Sequence, residues 1–574
     1  MSTTTGNAGP SIVQGRGLGA ALDFAVISHG RAAAVLLLFS LAAFLPGFFQ
    51  IPPVDRDEAR FAQATKQMLE SREYVDIRFQ NEVRYKKPVG IYWLQAAAVK
   101  AGEALGVPQP RTTIWLYRLP SLIGALSAVL LTYWAALAFV ARRDALIAAL
   151  MMASSVLLGV EARLAKTDAM LLFASVAAMG AMARIYLAGK RTPGKEIGWT
   201  QPAILWTALA GGILLKGPLI LMFVVLTAIT LSVADRSARW LRSLRPIAGP
   251  VWMILLVLPW FVAIVAKSGG DFFVQALGHD MLSKVTSGQE AHGAPPGLYF
   301  ILFWVTFWPG SVLAGLAAPM IWKSRREPGA QFLLAWLVPS WLVFEAVITK
   351  LPHYVLPLYP AIAILIAGIL GSGGLSKARW MVRGTVGWFL FPGAITIAVL
   401  IAFIRFGGDL GLIAWPFSAA AVIFGLFAWW LYEVDGAERS LLRGMIASVL
   451  VAVAVYAVTF RSLPSLFPSA MIAQDIAAAD CRPPHVASTF AYQEPSLVLL
   501  LGTDTRFTDG AGAADFLRAG PCHFALVDPR SEHAFVQRAE STGLRYSLSQ
   551  RFEGYNISIG KPVSLTVFRS QVSP

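Results

Sequence analysis

Pro250-Val-Trp-Met-Ile-Leu-Leu-Val-Leu-Pro-Trp-Phe-Val-Ala-Ile-Val-Ala266 contains no charged side chain. Wound as an α-helix it rises about 25 Å, close to the ~30 Å hydrocarbon core of a bilayer. Runs of this kind recur through most of the chain, which is 56% hydrophobic and only 14% charged. Mean hydropathy is +0.60. This composition excludes disorder, collagen-like repetition and an ordinary water-soluble enzyme, and indicates a polytopic α-helical membrane protein. The formal net charge of +15 would suggest nucleic acid in a soluble protein. Here the basic residues cluster at the ends of apolar runs, where the membrane explains them and no nucleic-acid partner is needed.

Outward from that run, further spans are expected near residues 32–49, 114–140, 145–160, 169–189, 201–215, 218–233, 298–321, 331–349, 354–371, 385–404, 411–432 and 444–460. That gives about thirteen in all. No small-residue cleavage site follows the first, so it is not read as a removable leader. One set of short loops carries about 19 basic residues, Arg142, Arg143, Lys190, Arg191, Arg236 and Arg239 among them, and the opposite set about 8. The bias predicts a multi-pass membrane protein with a cytoplasmic N-terminus. An odd number of spans then places the long loop 51–113 and the region after about Ser462 outside the cytoplasm. The chain divides into a membrane domain, 1–463, and an exported α/β domain, 464–574. In the latter, strands are expected at His485–Ser488, Cys522–Val527 and Ser564–Phe568, with helices near Ala513–Leu517 and Glu532–Ala539. The only two cysteines, Cys481 and Cys522, fall there, and an oxidising compartment permits a bridge between them.

The charges outside the membrane are few and therefore informative. In Asp55-Arg-Asp57-Glu58-Ala-Arg60-Phe61, Asp55 fits a helix N-cap and Glu58, three residues on, completes a capping box. Asp57 is left without a structural duty and shares a helix face with Arg60; a surface ion pair is its plain alternative role. Tyr85-Lys86-Lys87-Pro88 precedes an aromatic segment, Ile91-Tyr92-Trp93. The two lysines there suit either lipid headgroups or an anionic leaving group. Glu161-Ala-Arg163-Leu-Ala-Lys166-Thr-Asp168 stands at the mouth of two spans, and Asp168 is expected to face a wet cavity because an unpaired charge beside hydrocarbon is costly. Later loops on the same side add Lys216, His279, Asp280, Lys284, Glu290 and His292, then Lys350, His353 and Tyr354. Acids and histidines leave a divalent cation open, although no tight ligand spacing calls for one.

Asp57-Glu58-Ala-Arg60-Phe61, Lys87-Pro88 with Tyr92-Trp93, Lys166-Thr-Asp168, Leu215-Lys216-Gly217-Pro218 and Lys350-Leu-Pro-His353-Tyr354-Val-Leu-Pro357 together resemble the GT-C glycosyltransferases. They are most similar to the lipid A 4-amino-4-deoxy-L-arabinose transferase group and its protein mannosyltransferase-like relatives. The resemblance covers nearly the whole chain. It implies an inverting transferase of the bacterial inner membrane, with 1–463 its catalytic domain and 464–574 a periplasmic domain, that moves a hexose or pentose from a polyprenyl phosphate carrier to an acceptor at the periplasmic face, such as lipid A or another envelope glycan. By position, Asp57 and Asp168 match the family's catalytic aspartates, and Arg60 and Lys87, with Lys86 beside it, the groups that meet the donor phosphate. Glu58, Tyr85, Lys216, His292, Lys350, His353 and Tyr354 are further candidates for the substrate cavity. Phe61 stands where a tyrosine is frequent, and Lys86 where aminoarabinose transferases usually carry glutamate; both departures bear on sugar specificity, not on fold. No nucleotide cofactor is implied, and no Walker-type loop is present. A monomer is expected. The competing class is a secondary transporter or lipid flippase, which would favour internal repeats and midplane charges; neither is evident here.

Overall fold

The computed structural model describes residues 18–192, 198–276, 278, 293–407, 412–479 and 481–571. Among these, seven helices are long and apolar enough to cross a bilayer: Ile114–Ala136, Asp168–Arg191, Ala248–Ser268, Pro328–Ala346, Pro352–Gly371, Arg379–Phe406 and Tyr432–Ser462. His29–Phe44, Leu219–Ala234 and Ala414–Trp430 are shorter apolar helices. The chain is a polytopic helical membrane protein. Asp168–Arg191 is the hub of the bundle, with 83% of its apolar stretch buried, against 22% for the peripheral Ala248–Ser268 and Arg379–Phe406. Its alanines and glycine explain this, since small side chains let neighbouring backbones close in. A Cβ added at Gly180 would lie 2.5 Å from the ring of Trp134 on the adjacent helix.

Two of the expected runs are not straight helices. The run near 298–321 is broken into Leu298–Thr306 and Ser311–Lys323, bent by 120°: Phe307 leaves the helical region at φ −102° and ψ 7°, and Pro309 has no N–H to continue the ladder. The run near 145–160 breaks at Ser155, where φ −67° and ψ 134° are extended. There the hydroxyls of Ser154 and Ser155 donate back to the carbonyls of Met151 and Met152, a local competitor of the helix ladder.

The long loop contains two further helices, Asp57–Ser71 and Gly90–Ala104, which pack on each other and on the bundle. Beyond the last span lies a five-stranded mixed sheet in the order Arg506–Thr508, His485–Thr489, His523–Val527, Lys561–Ser570, Tyr546–Asn556. The first three strands are parallel and the last two antiparallel. Along His523–Val527 the side chains alternate: Phe524 and Leu526 pack with Ile472, Ile476 and Leu497, whereas Ala525 and Val527 pack with the helices Gly510–Arg518 and Glu532–Ser541. Cys481 and Cys522 are disulfide-bonded, with Cα atoms 5.4 Å apart.

Candidate active site

The helix Asp57–Ser71 begins later than the expected capping box requires. Its N-cap is Arg56, at φ 65° and ψ −106°, with no side-chain cap. Such a conformation in a non-glycine residue is strained and persists only where surrounding contacts hold it. Glu58 supplies those contacts. Its carboxylate, buried, receives Nε and Nη2 of Arg118, both at 2.8 Å. It also accepts the backbone N–H of Val54 and, from the other loop, that of Ala165, both at 2.9 Å. Arg118 donates further to the carbonyls of Phe48, Ile51 and Pro52. Asp55, the expected N-cap of this helix, instead accepts the backbone N–H of Ser496, 441 residues away, at 2.9 Å. Burial, with Glu494 beside it, pushes the Asp55 carboxyl up to about 7. Freed of capping duty, Asp57 stands exposed at the first turn, with Arg60 one turn along.

Opposite Asp57, at the mouth of the hub helix, two carboxylates meet two ammonium groups. Lys166 lies 3.1 Å from Glu161 and 3.9 Å from Asp168, and Lys216 bonds Asp168 directly. His353 bridges both acids, Nδ1 being 3.6 Å from Glu161 and Nε2 3.7 Å from Asp168. Asp168 is 4% exposed, so its charge is met by lysine instead of by the wet cavity expected from sequence. Lys216 is the last residue of the helix Thr200–Lys216, which Gly217 ends at φ 72°. The ammonium of Lys216 also lies 5.2 Å from the centroid of the Tyr354 ring. Lys87 reaches this cluster because Gly90, three residues on, lets the chain run against the end of the same helix; a Cβ there would sit 2.7 Å from the Leu214 carbonyl oxygen. Lys87 acts electrostatically on His353, and Asp57 on Lys166. The two loops and three helix ends thus bring Asp57, Lys87, Lys166, Asp168, Lys216, His353 and Tyr354 to one place.

Other candidates have different surroundings. The buried Lys350 donates to the carbonyls of Glu345 and Val347, at 2.8 and 2.5 Å, and so caps the end of Pro328–Ala346. Tyr85 donates to Asp76 at 2.7 Å and packs on Phe272; burial and that carboxylate push its phenol up to about 12. Lys86 is exposed, and His292 lies outside the described residues. Arg118 and Glu161 were not among the candidates. Arg118 had one usable signal, an arginine inside an otherwise apolar stretch, which must find a partner.

Residues 34–269 match the protein family described as dolichyl-phosphate-mannose-protein mannosyltransferase. The matched stretch includes Asp57, Arg60, Lys87, Asp168 and Lys216, whereas His353 lies beyond it. Among curated proteins, an undecaprenyl phosphate-alpha-4-amino-4-deoxy-L-arabinose arabinosyl transferase of Pseudomonas paraeruginosa is 29% identical over 347 residues, 58% of this chain and 59% of that protein. A transferase of the same name from Pectobacterium atrosepticum is 26% identical over 386 residues, 64% of each chain. The alignment therefore spans less than two thirds of these relatives' own length. Among solved structures, ArnT of Cupriavidus metallidurans in the apo state superposes with a TM-score of 0.72 at 17% identity, over 95% of this chain and 100% of that one. The same protein bound to undecaprenyl phosphate gives 0.70 at 18% identity, covering 95% and 98%. At such identity the likeness is one of fold, and the fold is GT-C.

Proposed function

We propose that this protein is an inverting glycosyltransferase that moves a sugar from a polyprenyl phosphate carrier to a glycolipid or glycan acceptor at the periplasmic face. The observation that carries the reading is the convergence of Asp57 and Lys87, from one exported loop, on the carboxylate–lysine cluster around Asp168. The carrier named for the relatives, undecaprenyl phosphate, and their sugar, 4-amino-4-deoxy-L-arabinose, support the donor class. The lysine at position 86 leaves pentose and hexose both open. We further read the thirteen apolar runs as thirteen spans, with the N-terminus cytoplasmic and residues 464–574 a periplasmic domain of a monomeric enzyme.

In this mechanism the C–O bond between the anomeric carbon and the lipid phosphate breaks, and negative charge develops on the departing phosphate. Lys87 and Arg60 meet it with charge-assisted hydrogen bonds that strengthen in the transition state. The acceptor oxygen attacks from the opposite face, which inverts the anomeric centre. For a hydroxyl acceptor Asp57 takes its proton; for a phosphate acceptor, already ionised, Asp57 orients the nucleophile. Asp168, neutralised by Lys166 and Lys216, orients sugar hydroxyls. Glu161, Asp168 and His353 also form a possible cation-binding set, their ligand atoms within 4.8 Å of one another. Two ammonium groups already sit on those carboxylates, so we assign the lysines, not a divalent ion, as the local positive charge.

The deciding experiment is mass spectrometry of outer-membrane glycolipids and polyprenyl phosphates from cells carrying the wild-type protein or the Asp57→Asn variant. Loss of one sugar from a glycolipid together with accumulation of its polyprenyl phosphate donor is expected in the variant. An Asp57→Asn protein with full transfer activity would overturn the assignment.

A further inference from the structure

The face of the bundle remote from Asp57 carries many basic loop residues, and several are already satisfied. Arg143 lies 2.6 Å from Asp23 and 2.5 Å from Glu438, Lys190 is 2.8 Å from Asp235, and Arg439 and Arg443 both meet Asp435. Arg142 donates to the carbonyls of Val26 and Ile27. Lys377, Arg379 and Arg383, like Arg236, Arg239, Arg242, Lys323 and Arg326, make no side-chain ion pair or hydrogen bond among the described residues. These three differ in that all line one open cavity of about 520 Å³. It lies between the start of Arg379–Phe406 and the end of Ala414–Trp430, and Trp429, Trp430 and Tyr432 form its aromatic side.

Three cations around one hollow repel one another, and the sole acid that lines it, Glu433, leaves a net charge of about +2 there. A solvated basic face would account for the charge alone; it does not account for a cavity that gathers three such cations beside two indoles. Trp429 and Trp430 are 39% and 68% exposed and end an apolar helix, the level at which indoles sit among headgroups. Guanidinium forks and an ammonium suit a phosphodiester, and aromatic faces suit the glycerol and upper acyl carbons beside it. We propose that this cavity binds the headgroup of an anionic phospholipid from the leaflet on the basic side of the bundle. The site is on the face opposite the carboxylate–lysine cluster, and the proposal stands whether or not the sugar-transfer reading does.

The test is native mass spectrometry of the full-length protein, purified in neutral detergent and offered phosphatidylglycerol or phosphatidylcholine of matched chains. Wild-type protein is expected to retain phosphatidylglycerol at least about tenfold better, since basic side chains attract anionic headgroups. The combined Lys377→Ala, Arg379→Ala, Arg383→Ala variant should retain both lipids alike, while its lipid-free thermal midpoint stays that of wild type. The single Arg379→Gln variant, read by the same ratio, serves if the triple variant does not fold, and should lose part of the preference. Equal phosphatidylglycerol preference in wild type and either variant would overturn the proposal. So would displacement of the lipid by millimolar inorganic phosphate, which would mark a small-anion site instead.

Discussion

Glu58 shows how much one buried carboxylate can organise. Bound on both oxygens to Arg118, it ties the backbone ahead of Asp57 to the loop that leads into Asp168. Removing one partner of such a pair leaves a buried charge without compensation, which costs about 3–5 kcal/mol. Arg118→Met is therefore expected to lower the thermal midpoint sharply, whereas Arg111→Met, which breaks the exposed pair with Glu103, should change it little; parallel unfolding scans of the two variants compare them. At the cluster, Lys216→Met removes the ammonium on Asp168 and is expected to reduce transfer at least about tenfold in single-turnover assays with purified donor. EDTA-treated wild-type enzyme should keep its rate in the same assay; loss of activity restored by a divalent ion would overturn the assignment of the lysines as the local cations. Asp57 and Lys87 could be singled out in sequence because charge is scarce outside the apolar runs, and the structure brings both beside the cluster of Lys166 and His353. Glu58 was read as a cap for its own helix because the alternative partner, Arg118, is 60 residues away, and local spacing cannot see it.

Among elements, the contact between the helices Asp57–Ser71 and Pro495–Leu501 matters most, since it joins the helix bearing Asp57 to the C-terminal sheet. Lys66 donates to the Leu499 carbonyl at 2.8 Å, Gln63 to the Thr503 hydroxyl at 2.8 Å, and Gln80 to the Thr505 carbonyl at 2.7 Å. Asp55 adds the bond to Ser496, next to Glu494, whose own carboxylate accepts from Asn556 at 2.6 Å. Tyr492 and Glu58 are the other titratable groups facing Asp55. Because the folded-state carboxyl of Asp55 is raised from 3.8 to about 7, folding takes up a proton between those values. The contribution of Asp55 is fully present below about pH 4 and is lost as pH rises through 7. Hydrogen exchange across residues 495–501 is thus expected to quicken from pH 5 to 8 after correction for intrinsic rates, and Asp55→Asn should flatten that trend. An unchanged slope in the variant would assign the proton elsewhere. Pro495-Ser-Leu-Val-Leu-Leu-Leu501 is a short apolar run that periodicity cannot divide between strand and helix, so this helix was not legible beforehand.

Across the whole molecule, the polar contacts sort to two faces. Asp23, Arg143 and Glu438 meet on one, with Lys190 and Asp235 on the same side of the spans; Glu58, Arg118, Asp168, Lys216 and the C-terminal sheet meet on the other. The proposed orientation makes these the cytoplasmic and periplasmic faces. A membrane-impermeant maleimide applied to cells with permeabilised outer membranes should label Gln550→Cys, and should label Arg326→Cys only after lysis; both positions are exposed and the native thiols are held in the disulfide. The reverse pattern would invert the orientation.

By itself the sequence determined that the chain is a membrane bundle, which long runs are helical and where charge gathers. Those properties follow from composition and from the bilayer's thickness, and are local. Tertiary structure alone decided that the run near 298–321 is broken and bent by 120°, that Asp168 is neutralised by Lys216, that Lys350 is turned away to a helix end, and that Asp55 serves a helix 441 residues distant. Each of these depends on which loops the packed helices bring together, and pairing between distant segments leaves no trace in local periodicity.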